Sequence, residues 1–450
     1  MKGRLLKLGI IGVIGLCLLA GSYYGRVGSA APLAAPTWSS GFQIQNLDSA
    51  NPANVTVIYR DGNGNEILPS GGRQTLTVPA GGSQTIYPLP VSGFDGTVEI
   101  QSDRPVAAIT NLLTSNPTML DSYIGVTSPA NQAFLPLIMR NNGGYSTTIY
   151  IQNTDTAGPA NVTLEYRRTG SASVVKSRTV TIPAGGRATI RQLEDDADLG
   201  SGWVGSVRVS SDRPVAAVVT QSNGSILFSY NGFSQGSQRM YLPLIMCANS
   251  GWCTGLQVMN VGSASTTVTL RVDGVVRDTV TLGPYESKTW YPVPPGSTTV
   301  RHVGSAVLEA SAGGQIVAIV NELNGGLGQG MSYVGFSGGS SVVNLPLVMT
   351  NNSGYHVGVQ IQNLGSSDVT VQVRAVSSID GSVARNDTVT VPANKSTTLY
   401  PAVGTIPGPR FVGSMTITGP SGSQLVAIAN QITQPQQSGD TSAVYNAFNQ

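Results

Sequence analysis

Leu135-Pro136-Leu137-Ile138-Met139, then Tyr145, then Ile151-Gln152-Asn153: this stretch decides the reading of the chain, because it returns. Leu242-Pro243-Leu244-Ile245-Met246 leads to Trp252 and Val258-Met259-Asn260, and Leu345-Pro346-Leu347-Val348-Met349 leads to Tyr355 and Ile361-Gln362-Asn363. An earlier copy holds Trp38 and Ile44-Gln45-Asn46, with only Ala31-Pro32-Leu33 ahead of them. The Asn-ending tripeptides lie 107, 107 and 103 residues apart. Self-similarity at such a period identifies one structural unit used four times.

Working outward, Val78-Pro79-Ala80-Gly81-Gly82 is matched by Ile182-Pro183-Ala184-Gly185-Gly186 and Val391-Pro392-Ala393-Asn394. Ser102-Asp103-Arg104-Pro105-Val106-Ala107-Ala108 is matched by Ser211-Asp212-Arg213-Pro214-Val215-Ala216-Ala217. Each copy closes on a tyrosine: Tyr123, Tyr230, Tyr333, Tyr445. These marks set the expected domains at 31–128, 129–236, 237–340 and 341–450, behind a leader at 1–30.

Inside one copy the hydrophobic period is two. In Asn161-Val162-Thr163-Leu164-Glu165-Tyr166 the apolar side chains share one face and Thr163 and Glu165 the other, the pattern of a half-buried antiparallel strand. The second copy predicts eight strands, near 134–139, 147–153, 161–168, 174–182, 187–193, 204–210, 214–221 and 225–230, and no amphipathic helix of ten or more residues. The expected fold class is all-β: four tandem antiparallel β-sandwich domains of immunoglobulin-like type after an N-terminal signal peptide.

Composition bounds the rest. Hydrophobic residues make up 40% of 450, enough for packed cores, while charged residues are only 11%. Lys2, Arg4 and Lys7 precede an apolar run from Leu8 to Ala20 and the small residues Gly28-Ser29-Ala30, the layout of a cleavable export signal. Cleavage after Ala30 leaves 21 basic against 23 acidic residues, so neither nucleic acid nor an anionic membrane is indicated as a partner. Membrane attachment is expected only through an uncleaved leader, and the chain is placed outside the cytoplasm or in the envelope. Cys247 and Cys253 remain, six positions apart around a turn, and in an oxidising compartment they are expected to form a disulfide.

Signals for chemistry are few. His302 and His356 occupy non-equivalent places in different copies and are expected at the surface; no catalytic residue and no bound cofactor are indicated. Gly232-Phe233-Ser234-Gln235-Gly236 and Gly335-Phe336-Ser337-Gly338-Gly339 match a nucleophile-elbow string, but no helix follows, so they read as Gly/Ser linkers. Ser173 and Lys176 match a further nucleophile pattern with a spacing that sets them on opposite faces of a strand. Calcium is the one ligand ion with candidates. Asp61, Asn63, Asn65 and Glu66 place oxygens along a Gly-rich loop that is better explained as a hairpin turn, and Glu194, Asp195, Asp196 and Asp198 crowd a second loop that is better explained as a solvated acidic surface. The recurring Trp38, Tyr145, Trp252 and Tyr355 suit either a shared sugar-stacking surface or aromatics that seal the sandwich.

On architecture, this layout resembles the tandem immunoglobulin-like or fibronectin-like arrays of bacterial cell-surface proteins over residues 31–450. The resemblance implies a structural or interaction role as surface coat, stalk or adhesive spacer, with other surface proteins, glycans or further copies as partners, and short seams imply a rod. A carbohydrate-binding protein using the repeated aromatic is the second reading, and an enzyme the third.

Overall fold

In a computed structural model of the protein, residues 6–11, 37–115, 118–295, 299–435, 437 and 439–450 are described, the first stretch for its backbone only. Antiparallel strands dominate, paired into seven sheets, so the chain is all-β as its alternation predicts. In the third repeat one sheet carries Arg239–Cys247, His302–Ala310, Thr266–Val272 and Val275–Leu282 in spatial order, and the other Ser287–Val293, Trp252–Asn260, Ile316–Asn324 and Gln329–Val334. The first and fourth copies repeat this arrangement.

The second copy departs from expectation. The stretches 204–210 and 214–221 form one continuous strand, Trp203–Ser222, which runs through Asp212-Arg213-Pro214 and joins both halves into a single seven-stranded sheet. Its short helix, Gln192–Asp195, is a single turn.

The repeated strings are repeated bonds. The buried Asn153 amide donates to the carbonyls of Gly158, Ile182 and Pro183 at 2.9, 3.3 and 3.1 Å, pinning the end of its strand to the Pro-Ala-Gly-Gly turn, and Asn46, Asn260 and Asn363 do the same in their copies. Asp212 takes both the backbone and the side-chain N–H of Asn161 at 2.8 Å, as Asp103 takes those of Asn54. The proline of each Leu-Pro-Leu string cannot donate to the ladder, and the opening strand bulges there, between Leu135 and Ile138, Leu242 and Ile245, and Leu345 and Val348. The closing tyrosine repairs the bulge. The Tyr230 hydroxyl donates to the Leu137 carbonyl at 2.7 Å and accepts the Leu137 N–H at 3.3 Å, with Tyr333 on Leu244 and Tyr445 on Leu347 alike. A buried polar group left unpaired would cost about 1–3 kcal/mol, so one hydroxyl satisfying two groups ties the first and last strands of a copy together.

The first copy has no such string. Beside its strand Gly96–Ser102, where the other copies place the opening strand, lies the backbone of Leu6–Ile11, paired antiparallel from Leu6 opposite Ser102 to Ile11 opposite Thr97. Apart from that strand, the expected leader and Ala31-Pro32-Leu33 lie outside the described residues.

The rod expected from the seams is replaced by a closed ring. The strands ending on the four tyrosines, Met119–Ile124, Leu227–Asn231, Gln329–Val334 and Ala443–Asn446, contact one another in cyclic order around a central axis. Ile109, Ile319 and Ile428, at one repeat position, each join the core of the preceding copy, and Val218 with Tyr150, Ala216 and Leu227 joins the core of the first. Apolar stripes are therefore not buried within single copies alone. The reason is visible in Val106-Ala107-Ala108-Ile109 and its relatives, continuous apolar runs that suit a strand covered on both faces. Polar bonds reinforce closure between last and first copies: Asn111 donates to Gln431 at 3.0 Å, and Gln450 to the Leu47 carbonyl at 3.2 Å.

Candidate functional site

Two places in the ring concentrate chemistry, the axis and the seams. At the axis, the Asp440 carboxylate accepts the backbone N–H groups of Leu227 and Gly330 at 2.7 and 2.9 Å and that of Leu120. Leu120, Leu227 and Gly330 each stand three residues before their closing tyrosine, so one side chain of the last copy ties together the other three. Asp121 accepts the Ser229 N–H and, at 2.9 Å, its hydroxyl. Glu322 accepts the Thr254 hydroxyl at 2.9 Å. Burial pushes Asp440 and Glu322 up to about 8 and raises Asp121 well above the ordinary carboxylate range. All three acids are buried; Asp440 and Asp121 bond across copies and serve closure of the ring, whereas Glu322 bonds within its own copy.

The seams face outward, and two of them hold clefts. Each forms where the outer face of one copy's second sheet meets the opening-strand side of the copy before it, and the one between the first two copies also reaches round to the first copy's own outer edge at Tyr87. On that outer face an exposed tyrosine lies over a glycine of the neighbouring strand: Tyr87 on Gly41, Tyr291 on Gly255 and Tyr400 on Gly358. Thr85-Ile86-Tyr87-Pro88, Thr289-Trp290-Tyr291-Pro292 and Thr398-Leu399-Tyr400-Pro401 are the sequence trace of this ledge, a repeat that strand-by-strand reading passes over because its aromatic points out of the sandwich. The threonine hydroxyl of each donates to a glutamine one strand away, Gln43, Gln257 and Gln360.

The seam between the first and second copies holds a cleft of about 810 Å³ lined by Trp38, Tyr87, Phe94, Tyr150, Arg187 and Arg191 among others. Arg187 is fixed there by Asp95 at 2.5 Å and the Gly96 carbonyl at 3.1 Å, and its guanidinium lies 5.6 Å from the Tyr150 ring centre. The seam between the second and third copies holds a smaller one, about 230 Å³, with Leu137, Met139, Tyr145 and Tyr291 in its walls.

The recurring aromatics thus divide. Trp38 and Tyr145 line clefts, Tyr145 with its ring 5.8 Å from that of Phe228, whereas Trp252 is buried in the third core and Tyr355 packs half-buried on the fourth. The calcium candidates are occupied by protein partners. Asp61 accepts the N–H groups of Asn63 and Asn65 at 2.9 Å and the Asn65 amide at 2.9 Å, a hairpin turn, and Glu66 is paired with Arg73 at 2.5 Å. In the acidic loop Asp196 is buried against Lys176 and Arg178 at 2.7 Å and Asp198 meets Lys176 at 2.5 Å, while Asp195 accepts the Arg191 N–H at 2.7 Å and Glu194 is exposed. Among the described residues no three His, Cys, Asp or Glu side chains are grouped to hold a metal.

Other expectations resolve as follows. Cys247 and Cys253 are bonded. His356 is buried, not at the surface, and its Nδ1 accepts the Asn351 N–H at 3.3 Å; His302 is half-buried, 3.6 Å from Asp273. The supposed Gly/Ser linkers are ladder segments, Phe233 bridged to Phe134 and Phe336 to Tyr241, because they return to the opening strand of their own copy.

No family model matches this chain, and no curated protein matches it. Among solved structures, similarity is found to Thermotoga maritima 1070, at 18% identity over 24% of this chain and 95% of that one, with a TM-score of 0.20. A tetra-tandem repeat in the extending region of a large adhesion protein is similar at 14% identity over 91% of this chain and 95% of that one, with a TM-score of 0.10.

Proposed function

We propose that this chain is a non-catalytic interaction protein of the cell envelope, four immunoglobulin-like sandwiches closed into a ring that presents binding seams outside the cytoplasm. One observation carries the reading: ring closure consumes the inner faces with Asp440 and Asp121, and leaves Tyr87, Tyr291 and Tyr400 exposed along the outer seams. Aromatics at an exposed edge, with few charges around them, suit adhesive contact. The reading replaces the extended spacer. Cell fractionation is expected to recover the chain in the envelope or the medium, and X-ray scattering to give a radius of gyration of about 22 Å, the compact value for 450 residues. A cytoplasmic chain, or a radius near twice that value, overturns it.

Carbohydrate binding is the second reading, favoured by the placement of Trp38, Tyr87 and Tyr291 at clefts. A glycan array probed with the intact chain and with Trp38→Ala tests it. Loss of signal supports the reading, and unchanged binding removes Trp38 from it.

A further inference from the structure

We infer that the seam between the first two copies is a binding site for acidic oligosaccharides, with Trp38 and Tyr87 as ring platforms and Arg191 as the receptor of a sugar carboxylate; this rests on the carbohydrate-binding reading above. The four seams are built alike, so the one that departs is informative. On the outer face of the second copy four positions change together. Thr148 stands where the others have Gly41, Gly255 and Gly358; Tyr150 where they have Gln43, Gln257 and Gln360; Arg191 where they have Tyr87, Tyr291 and Tyr400; and Thr220 where they have Asn111, Asn321 and Asn430. All four replacements line the same cleft.

The opposite wall is altered too. At the next seam Leu137 and Met139 of the opening strand line a cleft of about 230 Å³, whereas among the described residues the first copy contributes Trp38, Tyr87, Leu89 and Phe94 to a cleft of about 810 Å³. That volume suits a ligand of a few sugar rings. Chemistry sorts the ligand class. The aromatic rings of Trp38 and Tyr87 offer faces for the C–H side of a pyranose, and Thr148 offers a hydroxyl, while the buried Tyr150 forms the floor under Arg187. Arg187 already holds Asp95, but the Arg191 guanidinium has no ion pair among the described residues, which leaves its planar fork for a carboxylate. A neutral sugar would leave that charge unmatched.

Isothermal titration of the intact chain with a galacturonate tetramer, a mannuronate tetramer and neutral cellotetraose tests this. Saturable binding of at least one uronate tetramer is expected with Kd below about 1 mM, at least tenfold tighter than cellotetraose. Arg191→Tyr restores the residue of the other three copies, so it is expected to fold; it should weaken uronate binding at least tenfold, with Arg191→Lys between it and the parent. Equal affinity for cellotetraose, or unchanged binding by Arg191→Tyr, overturns the acidic class. If Trp38→Ala then abolishes neutral binding, the carbohydrate reading survives. No binding of any of the three by a chain that scatters as a closed ring overturns the site.

Discussion

The Asp440 carboxylate of the last copy accepts the backbone N–H of Leu227, in the second, at 2.7 Å. Two residues 213 apart in sequence are joined because the first three copies point the same N–H at the axis and the last copy supplies one acceptor for all three. The ring is thus closed by polar chemistry at its centre and by apolar packing around it.

Removing that acceptor should open the centre. Asp440→Ala strands buried N–H groups of three copies, and a loss on the order of 3–5 kcal/mol is expected in urea unfolding, with Asp440→Asn losing less because one oxygen remains. Identical midpoints for Asp440→Ala and the parent chain would contradict this role.

Stability should fall as pH rises from 6.5 to 8.5. The carboxyls of Asp440 and Glu322 are held up to about 8, far above their unfolded values, so the folded state keeps protons that the unfolded state has released; that advantage is complete at low pH and is lost as pH climbs through the folded value. Each group contributes on the order of 1–2 kcal/mol over this interval. His302 and His356, held below their ordinary value by burial, act only as pH falls through 6.5 and below, in the opposite sense. Thermal melts of Glu322→Gln should show a shallower decline; a melting temperature that rises toward pH 8.5 counts against the assignment.

The closing tyrosines are not equivalent. Tyr230→Phe, Tyr333→Phe and Tyr445→Phe each remove a hydroxyl that serves both backbone groups of a bulge, for an expected loss of about 1–2 kcal/mol. The Tyr123 hydroxyl meets the Thr110 side chain instead and, among the described residues, serves no bulge, so Tyr123→Phe should cost less, about 0.5 kcal/mol. Chemical denaturation of the four variants side by side checks the contrast, and four equal losses would refute it.

Leu6–Ile11 lies within the stretch read as an export leader, so a cut after Ala30 should be legible in amide exchange. Leu6–Ile11 covers one edge of Gly96–Ser102, so a chain cut after Ala30 exposes that edge while the matching strand Trp203–Ser222 keeps Ala130–Arg140 beside it. Hydrogen–deuterium exchange by mass spectrometry is expected to be faster across 96–102 in the trimmed chain than in the full chain, and unchanged across 203–210. Equal protection in both would show that another strand takes the slot.

Periodicity alone carried the all-β class, the repeat length, the strand positions to within a few residues and the cysteine pair, because alternation and spacing are local properties of the chain. It also marked Trp38 and Tyr145 as aromatics with a choice of roles. The ring was beyond it. Whether Ile109 fills its own copy's core or a neighbour's depends on which faces meet, and a period-two pattern names faces without naming what covers them. Likewise Arg191 is an ordinary arginine in sequence; only the packing of the second copy against the first sets it, with Thr148, Tyr150 and Thr220, on one wall of a single cleft.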